Sequence, residues 1–363
     1  MKLASTYITL DGLNYSRNEL LRLCRQKTED LRLPQWQKDI FVFILSWLDE
    51  SDHIEIQTSG STGAPKPIKL KKQWMVNSAT ATCNRFNLNE TSKALLCLPA
   101  KYIAGRMMIV RAIVSRCDLL TIPPESIPLQ DTGSEVDFAA VTPHQLYNSI
   151  ENAWKGKNVK TLIVGGGEIS TSLERRIMNM PAEIYATYGM TETSSHIALR
   201  RINGPGSTNW FTVLEDISIS ADERNCLVID APELNDQILT TNDIIEIKDE
   251  QHFRWLGRWD NVINSGGIKI IPESIEKIIS GIRPERLVIV PFPDDKFGEI
   301  PVLVIETETI GISESRELLD RISTQTDKYS APKRIISLRA FPETPTGKPD
   351  RKRIVELIKD LHS

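Results

Sequence analysis

The sequence predicts an α/β protein in which a large N-terminal domain, residues 1–257, precedes a smaller α+β domain, residues 262–363. The chain has 363 residues, which suits a large domain with a smaller one attached. Strand-like and helix-like segments alternate between residues 159 and 186, as in a mixed sheet with crossover helices. The pattern changes near Gly257-Arg-Trp-Asp260, so residues 258–261 are predicted to connect the two domains.

The elements before residue 72 are predicted as helices followed by a hairpin. Residues 17–27 and 34–48 carry apolar side chains at helical spacing, which predicts a helix in each. His53–Gln57 and Pro67–Lys71 alternate between apolar and polar residues, which predicts a pair of strands. A glycine-rich loop therefore lies between paired strands.

The later elements follow from similar patterns. Thr171-Ser-Leu-Glu174 predicts a capping box that opens a helix ending at Met180. Pro272 suits the first position of another helix. The other predicted elements are strands at residues 161–164, 183–186, 268–271, 287–290, 302–306 and 334–338, and helices at residues 313–324 and at the C-terminus. Residues 341–348 are too rich in proline and glycine for regular structure.

Composition and charge exclude several classes of protein. The net charge of −4 gives no reason to expect nucleic acid as a partner, so a small molecule is expected. The most apolar stretch, residues 94–114, is interrupted by charged residues, so no integral membrane segment is predicted. Residues 1–20 lack the apolar core of a signal peptide. The five cysteines form no C-x-x-C pair, which predicts neither disulfides nor a zinc site and fits a cytoplasmic location.

The loop Thr58-Ser-Gly-Ser-Thr-Gly-Ala-Pro-Lys66 offers hydroxyl groups, backbone N–H groups and a lysine, which suits a polyphosphate. A P-loop NTPase would need G-x-x-x-x-G-K-[ST] at the start of a helix, whereas here Pro67 follows Lys66 and strands flank the loop. The alternative interpretation is a flexible hairpin turn. The predicted phosphate-binding residues are Thr58, Ser59, Gly60, Ser61, Thr62, Gly63 and Lys66.

A second glycine-rich turn, Gly165-Gly-Gly-Glu168, follows the predicted strand at residues 161–164, as a nucleotide-binding turn would. A dinucleotide-binding G-x-G-x-x-G motif would need glycine in place of Ser170, so NAD binding is not predicted. The alternative is a tight turn without a ligand.

Four motifs, in this order, are similar to those of the adenylate-forming superfamily, which includes acyl-CoA ligases, firefly luciferase and nonribosomal-peptide adenylation domains. They are the loop at residues 58–66, Tyr188-Gly-Met-Thr-Glu192, Gly257-Arg-Trp-Asp260 and Pro345-Thr-Gly-Lys348. The resemblance covers residues 54–354. It implies an N-terminal adenylate-forming domain, a mobile C-terminal domain, and the use of ATP, Mg²⁺ and CoA.

The resemblance assigns the nucleotide contacts. It implies that Tyr188 stacks on adenine, that Thr191 contacts the α-phosphate and that Glu192 ligates Mg²⁺, an ion that prefers carboxylate and phosphate oxygens. On the residues alone, a helix cap by Thr191 is the alternative interpretation. The other implied adenine or ribose contacts are Gly166, Gly167, Glu168, Gly189, Asp243 and Arg258.

The ribose motif departs from the family pattern at one position. Asp243 in Thr241-Asn-Asp243 matches the family's T-G-D, whose carboxylate binds the ribose hydroxyls. Asn242 replaces the glycine, and because asparagine tolerates a left-handed backbone, the turn is expected to survive.

Lys348 is the implied catalytic lysine, which would bridge the attacking carboxylate and the α-phosphate while negative charge builds at phosphorus. Thr191 and Glu192 complete the catalytic set. Without the resemblance, Lys348 would be taken for a solvated surface lysine. The family alternates between an adenylation pose and a thioester-forming pose about a hinge that corresponds to Asp260. The implied CoA contacts are Gly266, Gly267 and Lys269.

The segment Leu98-Pro-Ala-Lys-Tyr-Ile-Ala-Gly-Arg106 occupies the place of the family's L-P-x-x-H-x-x-G, which lines the acyl pocket. Together with residues 188–196, it resembles the branch that activates o-succinylbenzoate in menaquinone biosynthesis. That acid is a dicarboxylate, so a cationic or donor group should meet its second carboxylate. Lys101, Arg106 and His196 are the candidates, although each could equally be structural.

Two further features bear on the acceptor and the alternatives. The sequence up to residue 363 contains one small domain after the large one, so free CoA is expected as the acceptor rather than a tethered carrier domain. The stretch before the glycine-rich loop is shorter than in most of the family, so the pocket wall could differ. A homodimer is compatible with the sequence.

Another aryl- or fatty-acyl-CoA ligase is an alternative. A catalytically silent nucleotide-binding relative is another, although intact Glu192, Asp243 and Lys348 argue against it.

Overall fold

The chain divides into two units in a computed structural model that describes residues 7–57, 67–130, 134–283, 285–327, 329–344 and 349–360. The first unit contains Met1–Ile169, Arg176–Ser218 and Asp230–Ile238. The second unit contains Ser170–Arg175, Ile219–Ile229 and Leu239–Ser363. The predicted connection at residues 258–261 lies inside the second unit, and its role as a hinge stays a prediction.

The described helices and strands follow one another in the mixed order that the sequence predicts. The helices are α1 (Arg17–Glu29), α2 (Gln35–Leu48), α3 (Lys72–Phe86), α4 (Ile103–Ser115), α5 (Pro143–Glu151), α6 (Thr171–Ile177), α7 (Pro272–Ser280), α8 (Ile312–Gln325) and α9 (Arg351–Asp360). The strands up to residue 213 are β1 (Tyr7–Leu10), β2 (Leu13–Ser16), β3 (His53–Gln57), β4 (Pro67–Lys71), β5 (Lys93–Leu96), β6 (Asp118–Thr121), β7 (Val136–Val141), β8 (Val159–Val164), β9 (Glu183–Gly189), β10 (His196–Arg201) and β11 (Phe211–Val213). The later strands are β12 (Ser218–Ala221), β13 (Cys226–Asp230), β14 (Leu239–Asp249), β15 (His252–Arg258), β16 (Ile263–Ser265), β17 (Ile268–Ile270), β18 (Leu287–Asp294), β19 (Gly298–Glu306) and β20 (Arg334–Leu338).

The main sheet of the first unit has the order β11-β10-β9-β8-β7-β5-β6-β1-β2. Its central strands, from β9 to β1, pair in parallel, while the pairs β9–β10, β10–β11 and β1–β2 are antiparallel. Carboxyl ends of parallel strands meet at one edge of a sheet. The register of β8 and β9 aligns Val164 with Ala186, so the turns that follow these strands share that edge.

The predicted hairpin is confirmed. Strands β3 and β4 pair antiparallel from His53 opposite Lys71 to Gln57 opposite Pro67. The glycine-rich loop at residues 58–66 lies outside the described residues.

Helix α4 is buried around most of its circumference. Its residues from Met107 to Ile113 are all buried, and the charged residue Arg111 is among them. A helix that is apolar on every side belongs in an interior rather than on a surface, which explains why this stretch is the most apolar of the chain.

In the second unit, β12-β13-β14-β15 follow one another in order, and the C-terminal sheet has the order β17-β16-β19-β18 with β20 parallel to β19. Side chains of successive strand residues point to opposite faces of a sheet. Accordingly, Ile289 and Leu303 pack with α7 and α8, whereas Val288 and Val302 pack with α9.

The predicted α/β class is confirmed, but the start of α6 differs in detail. The helix begins at Thr171 and ends at Ile177, before the predicted end at Met180. The N–H of Leu173 donates to Ser170 Oγ at 3.2 Å. Ser170, rather than Thr171, therefore caps the helix, because its hydroxyl lies outside the first turn and faces a free backbone N–H.

The five cysteines are all free and buried. Burial raises the pKa of Cys24 and of Cys97 to about 12, and that of Cys117 to about 11. None of the described helices is both long and apolar enough to cross a membrane.

Candidate functional site

The turn after β9 is fixed by its own hydrogen bonds. Thr193 Oγ1 accepts from the N–H of Met190 at 3.1 Å and lies 2.7 Å from the carbonyl of Ser195. Ser194 adopts a left-handed backbone with φ +62°, which is costly for a residue with a side chain. A Cβ at Gly189 would lie 2.3 Å from the Ser195 carbonyl oxygen, so only glycine fits there. The turn therefore has one well-defined shape.

This turn carries the predicted nucleotide contacts. Tyr188 is half-buried, and its ring packs edge-on against Phe211 with 6.0 Å between centroids. Glu192 is half-buried in the 3₁₀ turn Thr191–Thr193, and no donor among the described residues contacts its carboxylate. The capping alternative for Thr191 is wrong, because Thr193 supplies the hydroxyl that satisfies the Met190 N–H. Thr191 and Glu192 thus keep side chains available for a ligand.

The turn after β8 lies at the same sheet edge. Thr187 Oγ1 donates to the Val164 carbonyl at 3.3 Å, which ties β9 to the end of β8. A Cβ at Gly165 would lie 2.4 Å from that hydroxyl, and Gly166 has φ +82°. Glycine is required at both positions, so the Gly165–Glu168 turn comes close to the Tyr188 turn with its backbone accessible.

The predicted ribose contacts occur together in the second unit. Asp243 on β14 is buried, and its Oδ1 accepts from Trp255 Nε1 at 3.1 Å and from Arg258 Nη1 at 3.3 Å. Strand register places Asp243 directly opposite Arg258. A carboxylate held between two donors keeps a fixed orientation, as a sugar contact requires.

The left-handed turn expected at Asn242 is wrong. Asn242 lies within strand β14 and is absent from the described residues with positive φ. Its Nδ2 donates to Asp260 Oδ1 at 3.1 Å, and its Oδ1 accepts from Arg224 Nη1 at 3.0 Å. The side chain therefore pairs with the residue proposed as the hinge instead of accommodating a turn.

The predicted CoA contacts surround a tight turn between β16 and β17. Gly266 and Gly267 have φ +58° and +86°, and a Cβ at Gly267 would meet nothing within 4 Å. Lys269 follows on β17, with its ammonium group 4.5 Å from the ring centroid of Trp259. The turn thus exposes backbone that an extended ligand could approach.

Two of the predicted acyl-substrate cations already have other partners. Lys101 is exposed, with its Nζ 4.9 Å from the centroid of the Tyr102 ring. Arg106 donates to the carbonyls of Ala100 at 3.0 Å and Glu55 at 2.7 Å, and burial lowers the pKa of its guanidinium. Arg106 therefore links the start of α4 to strand β3.

His196 is buried and neutral. Burial, and then the charge of Arg111, lowers the pKa of His196 well below its usual range. Its Nδ1 lies 3.5 Å from Arg111 Nη2 and its Nε2 lies 3.3 Å from Thr82 Oγ1, which places the single proton on Nε2. A neutral imidazole cannot offer positive charge to a carboxylate.

Arg111 is a candidate functional residue that the sequence motifs did not indicate. It is 2% exposed, and its Nη2 donates to Ser195 Oγ at 2.7 Å in the turn that follows Glu192. Its Nε has no hydrogen-bond partner, and no carboxylate accompanies it within the described ranges. Burial lowers its pKa to about 10, so the group is still a cation at neutral pH. The only sequence signal was a charge in an apolar stretch.

The side chains near the candidate site suit a metal ion that is coordinated mainly by the phosphate oxygens of a nucleotide. The described residues contain no group of three or more His, Cys, Asp or Glu side chains that could hold a metal ion by themselves. A single free carboxylate, such as that of Glu192, suits Mg²⁺ because this ion usually combines one or two carboxylates with phosphate and water. The predicted phosphate contacts at residues 58–66 and the catalytic Lys348 lie outside the described residues.

Comparison with known proteins defines the class. Residues 33–226 match the family described as AMP-binding enzyme, and because this match spans more than half of the chain, the protein belongs to that family. The predicted membership in the adenylate-forming superfamily is thereby confirmed.

Individual relatives narrow the comparison. The chain is 25% identical over 333 residues to a 2-succinylbenzoate–CoA ligase of Listeria monocytogenes, covering 84% of this chain and 69% of the relative. The crystal structure of an acyl-CoA synthetase (AMP-forming)/AMP-acid ligase II-like protein from Dyadobacter fermentans matches with a TM-score of 0.61 at 34% identity, over 93% and 97% of the two chains. An o-succinylbenzoate coenzyme A synthetase from Bacillus subtilis, solved with ATP and magnesium ion, matches with a TM-score of 0.72 at 17% identity, over 94% and 82%. At that identity the last match concerns the fold alone.

Proposed function

We propose that the protein is an acid–thiol ligase that uses ATP to convert a carboxylic acid into its CoA thioester. In the first half-reaction a carboxylate oxygen bonds to the α-phosphorus and pyrophosphate leaves. In the second, the deprotonated CoA thiol attacks the acyl carbon and AMP leaves with the electron pair of the broken bond. Family membership and the Tyr188–Glu192 turn support this reaction class.

The chain's own residues divide the work of adenylation. The loop at residues 58–66 would hold the β- and γ-phosphates, Tyr188 the adenine and Asp243 the ribose. Glu192 would hold Mg²⁺, which neutralises phosphate charge when it is bound with ATP. Lys348 would stabilise the charge that develops at the α-phosphorus. For thioester formation, we propose a second pose about Asp260 in which Gly266, Gly267 and Lys269 meet CoA.

The substrate is proposed to be a dicarboxylic aryl acid of the o-succinylbenzoate type, and Arg111 is the observation that carries this choice. A buried cation without a counter-charge is unfavourable in the free protein unless a ligand supplies the missing charge. Arg111 contacts the turn that carries Glu192 and lies on the helix that follows the acyl-pocket motif. A second substrate carboxylate at Arg111 would complete a buried ion pair. We therefore assign to Arg111 the role that the sequence suggested for Lys101, Arg106 or His196.

Exchange of labelled pyrophosphate into ATP tests both the reaction class and the substrate. The assay would compare o-succinylbenzoate, benzoate, a long-chain fatty acid and no acid. We expect exchange to be strongest with o-succinylbenzoate. Activity confined to benzoate or the fatty acid would overturn the dicarboxylate assignment, and silence with every acid would favour a nucleotide-binding relative without catalysis.

A further inference from the structure

Residues 230–238, here called the bracing segment, connect β13 to β14 but belong to the first unit. Ala231 and Leu234 are buried, with exposures of 2% and 5%. The N–H groups of Leu234 and Asn235 both donate to the Ala231 carbonyl, at 2.8 and 2.9 Å, which closes a turn. The conformation of the segment is therefore stabilised by its own backbone hydrogen bonds and by its two buried side chains.

Polar contacts connect the bracing segment to α3 and to the β3–β4 hairpin. Asn77 Nδ2 donates to both the carbonyl and the Oε2 of Glu233, at 2.8 Å each. Lys71, the last residue of β4, forms an ion pair with Asp236. The segment thus bridges the hairpin that flanks the glycine-rich loop and the neighbouring helix.

Between these fastenings, one side chain reaches the Glu192 turn. Asn235 Nδ2 donates to the main-chain carbonyl of Glu192 at 3.0 Å, while its Oδ1 accepts from the N–H of Gln237 at 2.9 Å. The carbonyls on either side of Glu192 have partners inside the turn, because Ser194 N–H donates to Thr191 at 2.9 Å and Ser195 N–H donates to Thr193 at 2.7 Å. The Glu192 carbonyl is satisfied from outside the turn, by Asn235.

We propose that Asn235 is a positioning residue that fixes the peptide of Glu192 and thereby the direction of its carboxylate toward a nucleotide-bound divalent cation. The proposal rests on the metal role of Glu192 under the proposed function. The carbonyl carbon is bonded directly to the Cα that carries the Glu192 side chain, so holding the carbonyl in place restricts the position from which the carboxylate extends. Groups that orient a metal ligand typically change metal affinity by about 10- to 100-fold when they are removed.

Asn235→Asp isolates this hydrogen bond. Aspartate keeps the Oδ1 that accepts from Gln237 but cannot donate to the Glu192 carbonyl, and it matches asparagine in shape. Gln237→Glu is the matched control, because it adds the same charge at an exposed position in the same segment. Asn235→Ala is the uncharged companion, which removes the donor without adding a negative charge.

The main measurement is the dissociation constant of Mn²⁺ in the presence of a non-hydrolysable ATP analogue, and electron paramagnetic resonance detects the bound and free Mn²⁺. We expect the Mn²⁺ dissociation constant to rise about tenfold in Asn235→Asp and Asn235→Ala and to stay unchanged in Gln237→Glu. In pyrophosphate exchange, the Mg²⁺ concentration for half-maximal rate should rise similarly, while the rate at saturating Mg²⁺ and the melting temperature change little.

Wild-type Mn²⁺ affinity in both Asn235 variants, or equal weakening in Gln237→Glu, would overturn the proposal. If Asn235→Ala lowers the melting temperature substantially as well as weakening Mn²⁺ binding, the role of Asn235 is merely structural, and this result would also overturn the proposal. If the wild-type protein binds the Mn²⁺–nucleotide complex but exchanges no pyrophosphate with any acid, the proposed ligase function fails while the Mn²⁺ titrations still decide the role of Asn235. If the wild type binds no Mn²⁺–nucleotide complex, both proposals fail.

Discussion

Arg106 and Arg111 lie on the same helix, but their guanidinium groups have opposite surroundings. Arg106 donates to two backbone carbonyls and joins the start of α4 to strand β3. Arg111 is buried more deeply and meets a hydroxyl, a thioether and a neutral imidazole. A cation that saturates backbone acceptors acts as a structural clamp, whereas a buried cation without an anion favours the arrival of one. Proximity to a sequence motif is therefore not enough to identify a substrate contact, because the surroundings of the charged group matter as well.

Replacement of Arg111 should give the largest effect. In Arg111→Met we expect kcat/KM for o-succinylbenzoate to fall about 100-fold, since losing one partner of a buried ion pair costs about 3 kcal/mol. A monocarboxylic aryl acid should be little affected, and the melting temperature should not fall, because the variant no longer buries an unpaired cation. Steady-state kinetics with both acids check this. An equal loss with both acids would contradict a contact with the second carboxylate.

Arg106→Met is the matched variant on the same helix, and its effect should be smaller and of another kind. The loss of two bonds to carbonyls should lower the free energy of unfolding by about 1–3 kcal/mol. The preference for the dicarboxylic over the monocarboxylic acid should stay as in the wild type. Denaturant unfolding and the ratio of the two kcat/KM values measure these outcomes, and a changed ratio would return Arg106 to the list of substrate contacts.

The smallest predicted effect concerns His196, and it appears in how the free energy of unfolding depends on pH. The pKa of His196 in the folded protein lies well below 6.5, so below that pH the unfolded chain takes up a proton that the folded chain does not. The stability that the neutral imidazole contributes is present above pH 6.5 and is lost progressively as the pH falls below it. Relative to the wild type, His196→Gln should flatten this decline by up to about 1.4 kcal/mol per pH unit. Equal slopes from denaturant unfolding at several pH values would show that His196 is not buried in its neutral form.

The sequence predicted the elements whose cause is local. Alternation of apolar and polar residues located the β3–β4 hairpin, and Pro272 marked the first residue of α7, because strand period and proline geometry act within a few residues. The motif positions also located the Tyr188–Glu192 turn, whose shape depends on its own hydroxyls and glycine.

Features that depend on distant partners could not be read from the sequence. The isolation of Arg111 requires knowing that α4 is buried and which side chains surround it. The bond from Asn235 to Glu192 joins positions 43 residues apart, and no pattern in either segment indicates it. Asn242 lies within β14, and its side chain contacts Arg224 and Asp260, each of which is 18 residues away in the sequence. These distant contacts, rather than the residue's tolerance of a left-handed backbone, accompany its strand conformation.

The buried cysteines allow the opening of the two units to be observed separately. A thiol reacts with a maleimide as its thiolate, so buried thiols with raised pKa values are labelled only when the surrounding structure opens. Cys226 belongs to the second unit, and the other four belong to the first, namely Cys24, Cys83, Cys97 and Cys117. Mass spectrometry of labelled peptides would therefore time the opening of each unit in one sample, with the natural chain serving as its own reporter.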